Sequence, residues 1–232
     1  MNYNLNKSLL LLQINDPLFP IGSYTHSYGL ETYVQKGIVK DKLTAKKYIL
    51  STITSSLLFG DMLALKLAYG FSKSVKDLVK LDEMYYASKA SREIRTAGEK
   101  LGARFIKNVK ALSIDYENDI FNEYCAMVNQ EICKGQIAIV YGIFCASTGI
   151  KFDPAVLSFA YAQVSGIVTN CVKLVPLSQT DGQIILNESF SYIFDSIKEL
   201  ESLSIKDLGS STPAFDLRAM QHEVLYSRLY MS

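Results

Sequence analysis

Residues 153–176 read DPAVLSFAYAQVSGIVTNCVKLVP, and this stretch decides the fold class. Leu157, Tyr161, Val164, Val168, Cys171 and Val172 recur mostly at steps of three and four, the period of a helix and not of a strand. Asp153 is placed to cap a helix whose first position is Pro154, where the missing N–H costs nothing. Pro176 ends the segment. The segment is apolar on almost every side, which predicts the central, buried helix of the protein.

Working outward, Ile137, Val140, Tyr141, Phe144, Cys145 and Thr148 follow the same spacing from Gln136, and Gly149 is placed to stop that helix. Asp115 or Asn118 is a candidate cap for a helix through Asn129. Residues 43–71 carry two adjoining apolar stripes, with a kink expected at Gly60. Residues 75–112 alternate charged and apolar positions, and Gly98 and Gly102, four apart, either let another helix approach closely or mark a weak point. Ser178 precedes Asp181 by three, a near-capping box opening a helix to about Leu203. Strand signals are poor, and no repeat or low-complexity tract occurs. The expected fold is all-α: a single helical domain of about eight to ten helices with a separable C-terminal tail. Residues 1–208 form the helical domain; 209–232, opening with GSSTP at 209–213, are a linker and C-terminal partner-binding segment.

Composition narrows the function. The 232 residues carry 24 Lys+Arg against 23 Asp+Glu, two His, 15 Tyr, 11 Phe and no Trp, with 49% hydrophobic residues. That hydrophobic content is globular, not disordered, and the balanced charge argues against a chain that coats nucleic acid. The apolar run Leu9–Leu12 is too short for a signal-peptide core and is broken by Gln13, Asn15 and Asp16; no stretch reads as a membrane span. Cys125, Cys133, Cys145 and Cys171 sit in apolar segments without a CxxC pattern, as expected of reduced thiols in a cytoplasmic protein.

The candidate chemistry concentrates in two windows. Residues 16–31, DPLFPIGSYTHSYGLE, hold two prolines, two glycines and His26, so a loop leads into a helix. Read as catalysis, His26 is a general base, Ser23, Thr25 or Ser27 the nucleophile, and Asp16 or Glu31 the orienting carboxylate. The plainer reading is a histidine that braces a restricted loop, because catalytic partners normally come from separate segments. Phosphate-loop patterns are absent, and His26 and His222 show no metal-ligand spacing. The cations Arg92, Arg95, Lys100, Arg104 and Lys107 are interleaved with acids, the pattern of a solvated helix face. The second window is the tail, FDLRAMQHEVLYSRLYMS at 215–232. Its apolar helical spacing, tyrosines and arginines suit a segment that docks on its own body or in a partner's groove.

Five windows, in order, resemble the UreF family of urease accessory proteins. They are LLQINDPLFPIGSYTHSYGLETYV at 11–34, SREIRTAGEKLGARFIK at 91–107, VYGIFCASTGI at 140–150, NCVKLVPLSQTDGQIIL at 170–186 and AMQHEVLYSRLYMS at 219–232. One departure is plain: many members carry a His just before the central window, where Gln136 and Ile137 stand here. The resemblance implies an all-α, non-catalytic chaperone of urease maturation that forms a homodimer. Its implied partners are UreD (UreH in some bacteria), the GTPase UreG and apo-urease, with no membrane and no nucleic acid. No tightly bound cofactor is implied; nickel is handled by the complex. The implied contact residues are Tyr24 and His26 in the loop, and His222, Tyr226, Arg228, Leu229 and Tyr230 in the tail. Glu31 and Asp181 are expected to line a polar passage or to pair with Arg. Two other readings stay open at this point: a small helical enzyme using His26 as acid and base, and a helical ligand-binding module.

Overall fold

A computed structural model describes residues 2–22, 26–210, 213–226 and 228–230. Its elements are helices throughout, and among the described residues there is no strand. The chain runs α1 (Asn2–Asn15), α2 (Leu30–Gln35), α3 (Lys42–Thr52), a π-helical segment (Ile53–Met62), α4 (Leu63–Phe71), α5 (Val75–Ser88) and α6 (Arg92–Ala111). It continues through α7 (Ile120–Asn129), α8 (Ile137–Ser147), α9 (Phe152–Leu174), α10 (Gln179–Glu188), α11 (Phe190–Ser202) and α12 (Pro213–His222). The all-α expectation holds.

The identity of the central helix does not. Every residue of α8 from Ile137 to Cys145 is buried, whereas α9 buries one stripe and leaves Leu157 and Tyr161 well exposed. At 23 residues, α9 is about 35 Å long, too long to be enclosed by its neighbours. The shorter α8 is enclosed, packed against α4 and α6. Around it Phe144 meets Phe105 and Phe121, each at 5.4 Å between ring centres, and the phenol ring of Tyr116 stacks on Phe121 at 5.3 Å.

Caps fixed by short-range chemistry fall near their predicted positions. Ser178 and Asp181 form a complete capping box on α10. Gly149, at φ 65°, ends α8. Asn118 accepts from the Ile120 amide at 3.2 Å at the start of α7. The start of α9 is two residues early: Lys151 is the N-cap, because Phe152 packs edge-on against Tyr69 at 5.5 Å. The expected kink at Gly60 is instead the π-helical segment, which widens the winding inside one continuous helix, Lys42–Phe71. The alternating stretch 75–112 breaks at Lys89–Ser91, where Ser91 caps α6 and Arg95 donates to the Ala90 carbonyl at 3.1 Å. The helix expected to reach Leu203 divides at buried Ser189.

Lys42–Phe71 and Phe152–Leu174 are long and apolar enough to cross a membrane by length and composition alone. Their most apolar windows are 56% and 44% buried against the rest of the protein.

Candidate functional site

The loop after α1 is braced on α6. Asp16 accepts from the Leu18 amide at 2.7 Å, and Phe19 packs edge-on against Phe105 at 6.0 Å. Arg104 donates to the Ile21 carbonyl, and Asn108 to that of Pro20, both at 3.0 Å. Tyr24 lies outside the described residues. His26 is buried, and its carbonyl accepts from the Asn170 amide group at 2.9 Å.

Burial, then the nearby Arg104 and Lys100 charges, push the His26 imidazole down to about 4. It is neutral near pH 7 and a weak base, poorly matched to proton abstraction at that pH. The same shift predicts a pH dependence of stability. The unfolded chain binds this proton below 6.5 and the folded chain only near 4, so stability falls as pH drops through that window. A shift of this size is worth about 3 kcal/mol, which solvent screening lowers toward about 2. Urea denaturation across the window should show it, and His26→Gln should flatten it.

From this loop the chain enters α2 through Gly29, at φ 88°. A Cβ there would stand 2.9 Å from the Ala219 nitrogen, so the absent side chain is what lets α12 lie against α2. Phe215 adds ring contacts to Tyr33 at 5.8 Å and Tyr48 at 5.6 Å. The face of α12 toward the body also walls a cavity of about 140 Å³ lined by Tyr28, Asp61, Tyr85, Lys89 and Asp216.

At the end of α12 the polar groups converge. The His222 side chain is fully buried between two carboxylates. Its Nε2 lies 3.1 Å from Glu31 Oε2 in the first turn of α2, and its Nδ1 lies 2.7 Å from Glu93 Oε2 in the first turn of α6. A ring protonated on both nitrogens donates to both; either neutral tautomer leaves an acceptor facing an acceptor. Glu31 also accepts from the Leu229 amide at 2.8 Å and the Tyr230 amide at 3.3 Å. Arg228 donates to Glu93 Oε1 at 2.8 Å. Glu223 accepts from the Glu93 amide at 3.3 Å and from the Ser91 hydroxyl at 3.4 Å, setting a carboxylate on the positive end of the α6 dipole.

The tail thus holds the body through polar groups, while Val224, Tyr226 and Leu229 turn outward, each more than 80% exposed. Of the predicted residues, Glu31, His222, Arg228, Leu229 and Tyr230 come together in one cluster; Tyr226 stands outside it in solvent. Glu31 pairs with a histidine, not an arginine, and the arginine goes to Glu93. Asp181 pairs with Lys42 at 2.6 Å; that bond and the Ser178 hydroxyl hold its carboxyl down to about 2.

Sequence reasoning missed Glu93 and Glu223 as anchors. The signal was available: both stand inside windows 91–107 and 219–232. Because the His222 ring stands between the carboxylates, the three groups do not converge on one point, and the described residues hold no group of three or more metal-ligand side chains.

The comparisons agree with the windows. The UreF family model matches residues 39–189. A urease accessory protein UreF from Actinobacillus pleuropneumoniae serotype 5b (strain L20) is 36% identical over 225 residues, covering 96% of this chain and 97% of the relative. Its counterpart from Bacillus sp. (strain TB-90) is 35% identical over 231 residues, with 98% and 100% covered. The Haemophilus influenzae protein (strain ATCC 51907 / DSM 11121 / KW20 / Rd) is 36% identical over 239 residues, with both chains fully covered. The family is one of accessory proteins in urease maturation, not of enzymes. This chain belongs to the UreF family of urease accessory proteins.

Proposed function

We propose that the protein is a cytoplasmic adaptor that bridges UreD/UreH and the GTPase UreG on apo-urease, so that nickel passes to the enzyme as cargo of the complex. One observation carries this reading. The C-terminal segment is fastened through His222, Arg228 and two backbone amides, and it presents Val224, Tyr226 and Leu229 to solvent. Large apolar side chains displayed on a fastened segment suit recognition by another protein. A neutral, buried His26 favours this over acid–base catalysis. The homodimer belongs to the same reading. Leu5, Leu9 and Leu12 form an exposed stripe on α1, beside a groove lined by Leu157, Tyr161, Phe190 and Phe194. With few charges on that face, a second copy can meet it without like-charge repulsion.

The test is removal of residues 213–232, or Arg228→Ala, followed by co-purification with UreD and UreG and by assay of urease activation in cells. Both variants are expected to stay helical and to lose assembly, with activation falling at least tenfold. Normal activation after the deletion would sink the reading.

A further inference from the structure

The cations of α6 look interleaved with acids along the sequence, but they are not interleaved in space. The exposed positions of α6 include Arg92, Lys100, Arg104, Lys107 and Lys110 and no acid. Glu93 is turned into the tail cluster, where His222 and Arg228 consume it, and Glu99 is half-buried. The result is a one-signed row about 27 Å long on a chain with a net charge of only +1. Arg92 approaches Glu223 at 3.7 Å and Arg104 braces the loop. Among the described residues no ion pair engages Lys100, Lys107 or Lys110. Leu18, 89% exposed, stands next to the Phe19 that packs on this helix.

We propose that this row is a docking surface for an acidic face of a partner protein in the maturation complex, an inference that rests on the adaptor reading. Charge complementarity selects the partner class. A membrane is disfavoured because the apolar face of α6, through Leu101, Phe105, Ile106 and Val109, is buried in the core, leaving nothing to insert among lipids. A nucleic acid is disfavoured because a single row on a nearly neutral chain supplies few phosphate contacts. A row of this kind steers encounter and sets the salt dependence of binding more than it sets the final affinity.

The experiment uses the full-length chain carrying Lys107→Glu with Lys110→Glu, and a Lys107→Arg/Lys110→Arg pair as the charge-preserving control. Neither lysine braces the loop or the tail. Binding to purified UreD, UreG and apo-urease is measured at about 50 mM and about 500 mM salt, where screening lengths differ severalfold. The reversed pair should bind at least one of these partners tenfold or more weakly at low salt, converge with the unaltered protein at high salt, and melt at the same temperature; the arginine pair should match the unaltered protein. If the reversed pair misfolds, Lys107→Gln with Lys110→Gln takes its place, with a smaller loss in the same direction. Unchanged affinity and salt dependence would overturn the inference and leave the adaptor reading standing. Loss of binding to RNA or to anionic vesicles alone, with protein partners unaffected, would overturn it too. Failure of the unaltered protein to bind any of the three would overturn the adaptor reading and this inference together.

Discussion

His222→Leu is expected to release the C-terminal segment while the helical body stays folded. Leucine fills much of the same space but donates to neither Glu31 nor Glu93, which now face the ring at 3.1 and 2.7 Å. Leaving a buried acceptor without its donor typically costs about 1–3 kcal/mol, and more when the acceptor is a carboxylate. The full cost is not paid by the body, because a cheaper exit exists. If α12 lifts away, both carboxylates regain water, so the loss is capped at the docking free energy of the tail. Hydrogen exchange along residues 213–226 should therefore rise by two or more orders of magnitude, by the equivalence of about 1.4 kcal/mol per factor of ten. Trypsin should reach Arg218, and the main melting transition should move little. Tail exchange as slow as in the unaltered protein would show that the histidine is not the fastening. His222→Gln, which restores one hydrogen bond, should fall between the two.

Gly102→Ala is expected to damage the body and spare the tail. A Cβ at Gly102 would stand 1.8 Å from the Gly135 carbonyl oxygen and 3.0 Å from its carbon. Both contacts are backbone, so no side chain can swing aside; α6 and the turn before α8 must part. Overpacking of this kind costs about 1–3 kcal/mol, occasionally more. The upper end applies here, so thermal unfolding should come roughly 6–12 °C earlier for a chain of this size. A fall of less than about 2 °C would mean that the two segments separate easily. Gly98→Ala meets the Gln136 side chain instead, at 1.9 Å from Oε1. That side chain is fully buried and donates to the Arg95 carbonyl at 2.9 Å, so this variant should be intermediate, and Gln136→Ala should partly rescue it.

These two predictions separate what was readable in the chain from what was not. The Gly98–Gly102 pair reads from sequence as either a place of close helix approach or a weak point; the structure brings the Gly135–Gln136 turn against it, a partner far away in sequence. The tail reads from sequence as a segment for its own body or for a partner's groove, and Glu31 as a group that lines a polar passage or pairs with Arg, whereas its partner in the structure is His222. Glu93 was seen only as one acid among cations, because a row of alternating charge does not say which member turns inward. The capping box at Ser178 and the stop at Gly149 were legible, since each depends on atoms within a few residues. The start of α9 and the π-helical segment were not, since one answers to Tyr69 and the other to the winding of a 30-residue helix.

The sequence by itself determined the all-α class, several helix termini, the absence of phosphate-binding loops and the five windows of the family. Periodicity, capping and turn chemistry are local, and local rules read directly from residue order. Only the tertiary structure decided that α8 and not α9 is the enclosed helix. Both are apolar around most of their circumference, and burial is settled by length and neighbours. Only the tertiary structure, too, placed Glu31 and Glu93, 62 positions apart, on either side of one imidazole. Hydrogen bonds of that reach exist once α2, α6 and α12 have packed, and packing is a property of the whole chain.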